Sequence, residues 1–320
     1  MNINLLLENL TNPALLFFVL GIIAVYLKSD LEIPPTSSKF ISLYLLFSIG
    51  FKGGQELSHE QFSSEILWSM VFGLAIAAFI PIYSFFILKR KLSVYDAGAI
   101  AAAYGSVSAV TFVTAVAYLE FQQLEVHGHM VAIMALMESP AIIAGLILIS
   151  IFNRDADETI DKRSALRHSF TNGSVLLIMG SLLIGFLASE QQAEGIKPFT
   201  TDIFKGFLAI FLLDMGIASG KKLNAFLANG LFTLLFAILV PLFNGSVVAL
   251  LSAGVTDDLS NRFLFAILAA SASYIAVPAA MKIAVPKANP GLFLPMALAV
   301  TFPVNITVGM PLFFWLVATY

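Results

Sequence analysis

The chain has 320 residues, of which 59% are hydrophobic and 12% are charged, with a formal net charge of −3. Soluble domains carry about twice that share of charged residues, so the composition excludes an ordinary soluble domain and indicates an all-α polytopic membrane protein. The lack of a basic patch argues against a nucleic-acid partner, and the absence of cysteine excludes disulfides and thiolate metal sites.

The apolar residues form runs of about 17–25 residues, long enough to cross a bilayer as helices. The N-terminus has no basic n-region, so we expect the first span to act as its own insertion signal. Several spans contain proline, which is tolerated where neighbouring helices or a cavity satisfy the freed backbone groups. The ten predicted spans lie near residues 12–27, 37–54, 66–88, 96–118, 129–152, 173–188, 203–220, 228–253, 262–282 and 290–318.

Charge asymmetry between the loops predicts the orientation, because cytoplasmic loops are enriched in Lys and Arg. Counted from the N-terminus, the odd loops hold most of these residues, among them the run from Lys89 to Lys91. The even loops hold Lys52, Lys197 and Arg262. The odd loops are therefore expected in the cytoplasm, with both termini facing outward.

Two glycine-containing segments, which we interpret as flexible breaks, repeat at an offset of 166 residues, with Gly50 matching Gly216 and Gly54 matching Gly220. The same offset relates residues 102–108 to residues 268–274. We interpret the chain as two five-span repeats, residues 1–152 and 173–320, joined by a cytoplasmic linker at 153–172. Because five is odd, the second repeat must be inverted, as in many secondary transporters. The alternative is chance, since Gly is frequent in all membrane helices.

Spans four and nine combine small residues with hydroxyls, as in Ser106 and Ser108 and again in Ser271 and Ser273. If both helices are interrupted there, four half-helix ends meet inside the membrane. Helix N-termini suit an anion, whereas C-termini and unwound carbonyls suit a cation such as sodium. The alternative is tight packing, with each serine bonded to its own helix.

Buried ionisable residues are the next candidates, because an acid in the hydrocarbon region must be paired, protonated or bound to a cation. Glu138 lies in the middle of span five and Asp214 in span seven, and both are candidate cation or proton ligands. For Asp214 the alternative is a snorkelling or structural acid near a helix break. Asn305 in span ten must find hydrogen bonds, either as an ion ligand or with a neighbouring helix. His127 and His129 lie together in an outward loop, where a metal or pH-sensing site is the less favoured reading.

At these residues the sequence resembles the sodium-dependent bicarbonate transporter family best known from cyanobacteria. The likeness covers nearly the whole membrane domain in the same order. It is carried by Gly50 to Leu57, Gly105-Ser106-Val107-Ser108, Glu138-Ser139-Pro140-Ala141, and the run from Ser271 through Val285-Pro286-Lys287-Ala288-Asn289-Pro290 to Pro311-Leu312-Phe313.

The resemblance implies a 5+5 inverted repeat with core and gate domains, a homotrimer, a bacterial inner-membrane location and possible sodium coupling. A PII-like regulator is a known partner in the family, but the compact linker does not support it here. The implied anion-binding residues are Gly105, Ser106, Ser108, Ser271, Ser273 and Tyr274. The candidate coupling residues are Thr111, Glu138, Asn305 and Asp214.

The sequence departs from the family pattern at three places. Tyr274 replaces an acid, Ala276-Val277 replaces a Ser-Gly pair, and Glu138 replaces an Asp. These changes leave sodium and proton coupling both open. The leading expectation is a symporter for bicarbonate or a similarly small carboxylate anion. The alternatives are a cation/proton antiporter using Glu138 and Asp214, or a channel or sensor, and an enzyme is not expected because no catalytic motif is present.

Overall fold

The computed structural model describes residues 13–153, 173–227 and 230–320, and these residues are helical, with no strand among them. The first residues of the chain and the predicted linker after Asn153 lie outside the described residues. The helices of residues 13–153 are α1 (Pro13–Tyr26), α2 (Pro35–His59), α3 (Ser64–Leu88), α4 (Val94–Gly105), α5 (Ala109–Phe121) and α6 (Gly128–Phe152).

The remaining described helices are α7 (Gly173–Leu187), α8 (Glu190–Lys197), α9 (Phe204–Leu227), α10 (Leu231–Leu251), α11 (Leu259–Ala270), α12 (Ala276–Ala284) and α13 (Pro290–Thr319). Two stretches of α13 are π-helical, Met296–Thr301 and Asn305–Gly309. Pro303 lies between them in the short α-helical turn Phe302–Val304 and has no N–H, so it donates no helical hydrogen bond. The short helix α8 was not predicted from the sequence.

Several helices have the length and composition of membrane spans. Large apolar side chains such as Leu16, Trp68, Leu183 and Phe243 are exposed on outer faces, as expected for helices that face lipid. The chain is therefore a multi-pass membrane protein, whereas the ten-span count stays a prediction. Within the described residues, six segments are long and apolar enough to cross a bilayer: Ser64–Leu88, Val94–Phe121, Gly128–Phe152, Glu190–Leu223, Leu231–Gly254 and Pro290–Thr319.

The repeated glycines mark places where two helix backbones touch. A Cβ atom at Gly54 of α2 would lie 2.1 Å from the carbonyl oxygen of Leu182 in α7. A Cβ atom at Gly216 of α9 would lie 2.1 Å from the carbonyl oxygen of Phe18 in α1. Both helices run without interruption through these glycines. The expectation of flexible breaks there was wrong, because glycine in these helices serves close packing.

The remaining helices pack around the two short pairs α4–α5 and α11–α12. Helix α3 packs against α4 and α6, while α10 packs against α11 and α13. Two basic residues expected in loops lie in helices instead. Lys52 belongs to α2, and Arg262 is buried in α11, where its guanidinium donates to the carbonyl oxygens of Ala249 (3.2 Å) and Val317 (3.4 Å).

Candidate functional site: a cavity where two interrupted helices meet

The predicted interruptions of spans four and nine are present in the structure. Helix α4 ends at Gly105 and α5 begins at Ala109, while α11 ends at Ala270 and α12 begins at Ala276. Two hydrogen bonds join the two interrupted helices at this point. The Ser273 N–H donates to the carbonyl oxygen of Ala103 at 2.8 Å, and the Ser108 N–H donates to the Ser271 hydroxyl at 3.0 Å.

Local chemistry explains why the first helix stops and restarts. Ser106, at the end of α4, has an extended backbone (φ −83°, ψ 178°). Ser108 then caps α5, because its hydroxyl accepts the Thr111 N–H at 3.2 Å. In the second pair, Pro278 lies in the first turn of α12, where its missing N–H leaves no intrahelical bond unmade.

A cavity of about 20 Å³ lies against both connecting segments, and we call it the central cavity. This volume is close to the room that one water molecule requires, so the central cavity cannot hold a bicarbonate ion until the helices around it separate. Its lining residues come from α2, α5, α6, α7, α9 and α12 with the two connecting segments; they are Ser42, Leu45, Leu46, Val107, Ser108, Ala109, Val110, Val113, Glu138, Ser174, Phe211, Ser273, Tyr274, Ile275 and Ala276.

Two helix N-termini point at the central cavity. Ala109 and Val110, the first residues of α5, line it, and so does Ala276, the first residue of α12. The first N–H groups of a helix lack intrahelical acceptors and carry a positive partial charge. Two such ends in one cavity favour an anion.

Glu138 brings a carboxyl group to the same cavity. Its side chain comes from the middle of α6 and the residue is 8% exposed. Its Oε2 atom is buried and has no hydrogen-bond partner among the described residues. A buried carboxylate without a partner is costly, so Glu138 is expected to carry a proton or to bind a cation.

Four of the predicted site residues line the central cavity: Ser108, Ser273, Tyr274 and Glu138. The Ser273 hydroxyl accepts the N–H of Val277, in the first turn of α12, at 3.3 Å. The Tyr274 hydroxyl lies 3.9 Å from the sulfur of Met215 in α9. These residues therefore combine a structural contact with a position at the cavity wall.

Four predicted residues next to the crossing do not line the central cavity. A Cβ atom at Gly105 would lie 2.2 Å from Pro81, so Gly105 serves packing against α3. The Ser271 hydroxyl donates to Leu268 at 2.9 Å while it accepts from Ser108. Ser106 and Thr111 are fully buried beside the crossing, and the Ser106 hydroxyl has no partner among the described residues.

The two remaining candidates lie elsewhere. The Asn305 side-chain amide donates to the Ala270 carbonyl oxygen at 2.7 Å, so it caps the end of α11, and its own Oδ1 atom is buried without a partner among the described residues. Asp214 accepts a hydrogen bond from Ser38 of α2. Asp214 and Glu138 therefore do not share the central cavity.

Among the cavity-lining residues that the sequence did not predict are two serines and an aromatic residue, Ser42, Ser174 and Phe211. The signal for the serines was weak, because a single hydroxyl in an apolar helix is common and can bond to its own backbone. The serines line the cavity because α2 and α7 pack beside the interrupted helices, and the sequence does not show this packing.

The two histidines belong to a separate cluster at the N-terminal end of α6, where His127 precedes the helix and His129, expected in a loop, lies in its first turn. Glu60 accepts hydrogen bonds of 2.7 Å from the Gly128 N–H and from His129 Nδ1. His127 Nε2 lies 3.4 Å from an Asp258 carboxylate oxygen. In the described part of the chain, no three acid or histidine side chains are grouped so as to hold a metal ion.

The pKa values of this cluster shift in the directions expected for ion pairs. The hydrogen bond with Asp258 raises the pKa of His127, against the opposing effect of burial. Burial alone would raise the pKa of Glu60, but the hydrogen bond and the charge of His129, the Gly128 N–H and the charge of His127 together lower it. The pKa of Asp258 is lowered in the same way, because the contact with His127 and the Asn261 N–H outweigh burial.

Comparison with known proteins places the chain in a family. No curated protein matches it at a significant level. A family model, described as the Na⁺-dependent bicarbonate transporter superfamily, matches residues 13–318, which is nearly the whole chain. The protein therefore belongs to the Na⁺-dependent bicarbonate transporter superfamily.

Proposed function

We propose that the protein is a secondary active transporter that carries bicarbonate, or a similarly small carboxylate anion, together with a sodium ion or a proton. Membership of a transporter superfamily means that the protein is not an enzyme. The observation that carries the proposal is the central cavity, which is lined by two helix N-termini and by Glu138, whose Oε2 atom has no partner among the described residues.

The charges in this cavity suggest how the anion and the cation are coupled. The N-termini of α5 and α12 attract an anion, whereas an ionised Glu138 repels it. Anion binding therefore requires that Glu138 be protonated or paired with a sodium ion. An anion and a cation in one cavity each lower the electrostatic free energy of the other. They therefore bind cooperatively, which is the requirement for symport.

We also propose that the two halves of the chain form an inverted repeat. The helix contacts come in matched pairs, since α1 packs against α9 as α2 packs against α7. Helices α4 and α11 are each 12 residues long, and each begins after a side-chain cap, from Ser93 and Asp258 respectively. Each is followed by a short connection and a second helix. Core and gate domains, a bacterial inner-membrane location, outward termini and a trimer are proposed from the family resemblance and the loop charges.

The antiporter alternative has less support. It requires two exchangeable acids on one pathway, but Asp214 is hydrogen-bonded to Ser38 and does not line the central cavity. An antiporter would respond to a cation gradient with no anion present, whereas a symporter would not.

The proposal is tested by uptake of labelled bicarbonate into proteoliposomes, with external sodium present or replaced by potassium, and with or without a pH gradient. We expect saturable uptake that one of the two cation gradients drives. Bicarbonate uptake that does not change with the sodium gradient or with the pH gradient would reject symport.

A further inference from the structure

A second, larger cavity lies beside the central cavity, and we call it the charged cavity. Its volume is about 250 Å³, and its polar lining residues are Lys52, Glu56, Glu120 and Glu125. It lies near the ends of α2 and α5 and the start of α9, since Glu56, Glu120 and Phe204 line it. This volume is many times the space that one water requires, so the charged cavity has room for a small hydrated anion.

The two cavities follow one another along the same three helices. Helix α2 gives Leu46 to the central cavity and Ile49 to the charged cavity. Helix α5 gives Val113 and Val116 in the same way, and α9 gives Phe211 and Phe204. A step of three residues along a helix is about 4.5 Å, so on α2 and α5 about one turn of apolar side chains separates the two spaces.

Lys52 is the one cationic residue among the described residues that line the charged cavity. Its Nζ atom lies 2.6 Å from Glu120 Oε1, and the two side chains are 32% and 24% exposed. The other carboxylate oxygen of Glu120 lies 3.9 Å from Lys205 Nζ. Lys52 therefore already binds a carboxylate group, and its present partner has a second lysine nearby.

We propose that Lys52 is an anion-capture residue at the mouth of the pathway and that Glu120 is its tethered competitor. This inference rests on the proposed transport of a small carboxylate-like anion. Bicarbonate and a glutamate side chain share the planar O–C–O group that Lys52 contacts in this structure. The incoming anion replaces Glu120 on Lys52, Glu120 turns to Lys205, and the bond between α2 and α5 is released.

The other acids of the charged cavity set the strength of capture. Glu56 and Glu125 are exposed, so their repulsion of an anion is screened by salt but not abolished. Capture at Lys52 is therefore weak. Weak binding suits a residue that must pass the anion onward, because a tightly held ion would not leave.

The inference is tested by the concentration dependence of labelled bicarbonate uptake in variants of the full chain. Lys52→Met removes the capturing charge and raises the KM about tenfold, the size expected for one charge-assisted hydrogen bond. Glu120→Gln removes the competitor and lowers the KM severalfold, and Lys52→Arg keeps a KM near that of the wild type. An ion pair with a purely structural role predicts instead that Lys52→Met and Glu120→Gln act in the same direction.

A matched control is Lys89, which lines neither cavity and whose Nζ atom lies 3.6 Å from the centroid of the Phe152 ring. Lys89→Met is expected to leave the KM unchanged. Equal KM values in the wild type, Lys52→Met and Glu120→Gln would overturn the inference.

A second measurement separates this inference from the proposed function. If the wild type takes up no bicarbonate, the proposed symport of bicarbonate is rejected. Anion capture at Lys52 is then tested by the thermal stabilisation of the purified protein by sodium bicarbonate. Sodium chloride at equal ionic strength is the reference. Stabilisation that Lys52→Met weakens and Glu120→Gln strengthens upholds capture. Stabilisation that neither variant changes, or none at all, overturns it.

Discussion

The backbone N–H of Ser273 donates a hydrogen bond of 2.8 Å to the carbonyl oxygen of Ala103. Ala103 lies in the last turn of α4, where carbonyl groups lack intrahelical donors. The connecting segment between α11 and α12 thus supplies the N–H donor that the Ala103 carbonyl lacks within its own helix. Together with the bond from the Ser108 N–H to the Ser271 hydroxyl, this bond ties the two interrupted helices to each other.

The close contact between α2 and α7 gives a prediction about stability. Gly54→Ala places a Cβ atom 2.1 Å from the Leu182 carbonyl oxygen, so the two backbones must separate. We expect a loss of about 1–3 kcal/mol, as for other overpacked sites, measured as a lower melting temperature in detergent. Gly180→Ala is the matched control on α7, because nothing lies within 4 Å of its Cβ position. Equal melting temperatures for the two variants would contradict the packing role of Gly54.

The His127 cluster predicts a pH dependence of stability. The pKa of His127 is raised above 6.5, so its contribution to stability is present below pH 6.5 and is lost as the pH rises through the folded-state value. The pKa values of Glu60 and Asp258 are lowered from 4.5 and 3.8. Their contributions are present above those values and are lost as the pH falls through the lower folded-state values.

Melting temperatures of the wild type are therefore expected to be highest between about pH 4.5 and pH 6.5. His127→Gln should remove part of the decrease on the alkaline side, and Asp258→Asn should do the same by removing the partner. Parallel pH profiles for the wild type and both variants would show that the cluster does not contribute.

The absence of cysteine allows a test of anion occupancy in the central cavity. Ser42→Cys introduces the one thiol of the chain at the cavity wall. We expect a methanethiosulfonate reagent to react with it as the protein cycles, and bicarbonate to slow the reaction severalfold. Ser58→Cys, on the exposed end of α2, is the control and should react at the same rate with and without bicarbonate. A thiol at position 42 that never reacts, or that bicarbonate does not protect, would exclude this cavity from the pathway.

The sequence was informative where a residue type has few structural roles. Serines and small residues near Ser106 and Ser271, with Pro278 following, predicted helix interruptions that the structure contains. Glu138 was predicted to be functional because a buried acid needs a partner, and it lies at the cavity wall.

Predictions from the sequence failed where one residue type has two structural roles, or where the orientation of a side chain decides whether it lines the cavity. Glycine permits both a helix break and a close helix contact, so Gly54 and Gly216 were read as breaks although they are contacts. Ser106 and Ser108 are two residues apart in an extended segment. Residues two apart in a regular extended segment share a face, yet only Ser108 of the two lines the cavity. The sequence positions of the two serines do not show which of them lines the cavity.

The coupling role of Glu138 is the central claim, and accumulation of labelled bicarbonate in proteoliposomes under a sodium or pH gradient tests it most directly. The wild type is predicted to concentrate bicarbonate above its equilibrium level when the coupling gradient is imposed. Glu138→Gln is predicted to let bicarbonate equilibrate but not accumulate, because its side chain cannot take up a proton or pair with a sodium ion as a carboxylate does. Equal accumulation by Glu138→Gln and the wild type, under the same gradient, would contradict the account.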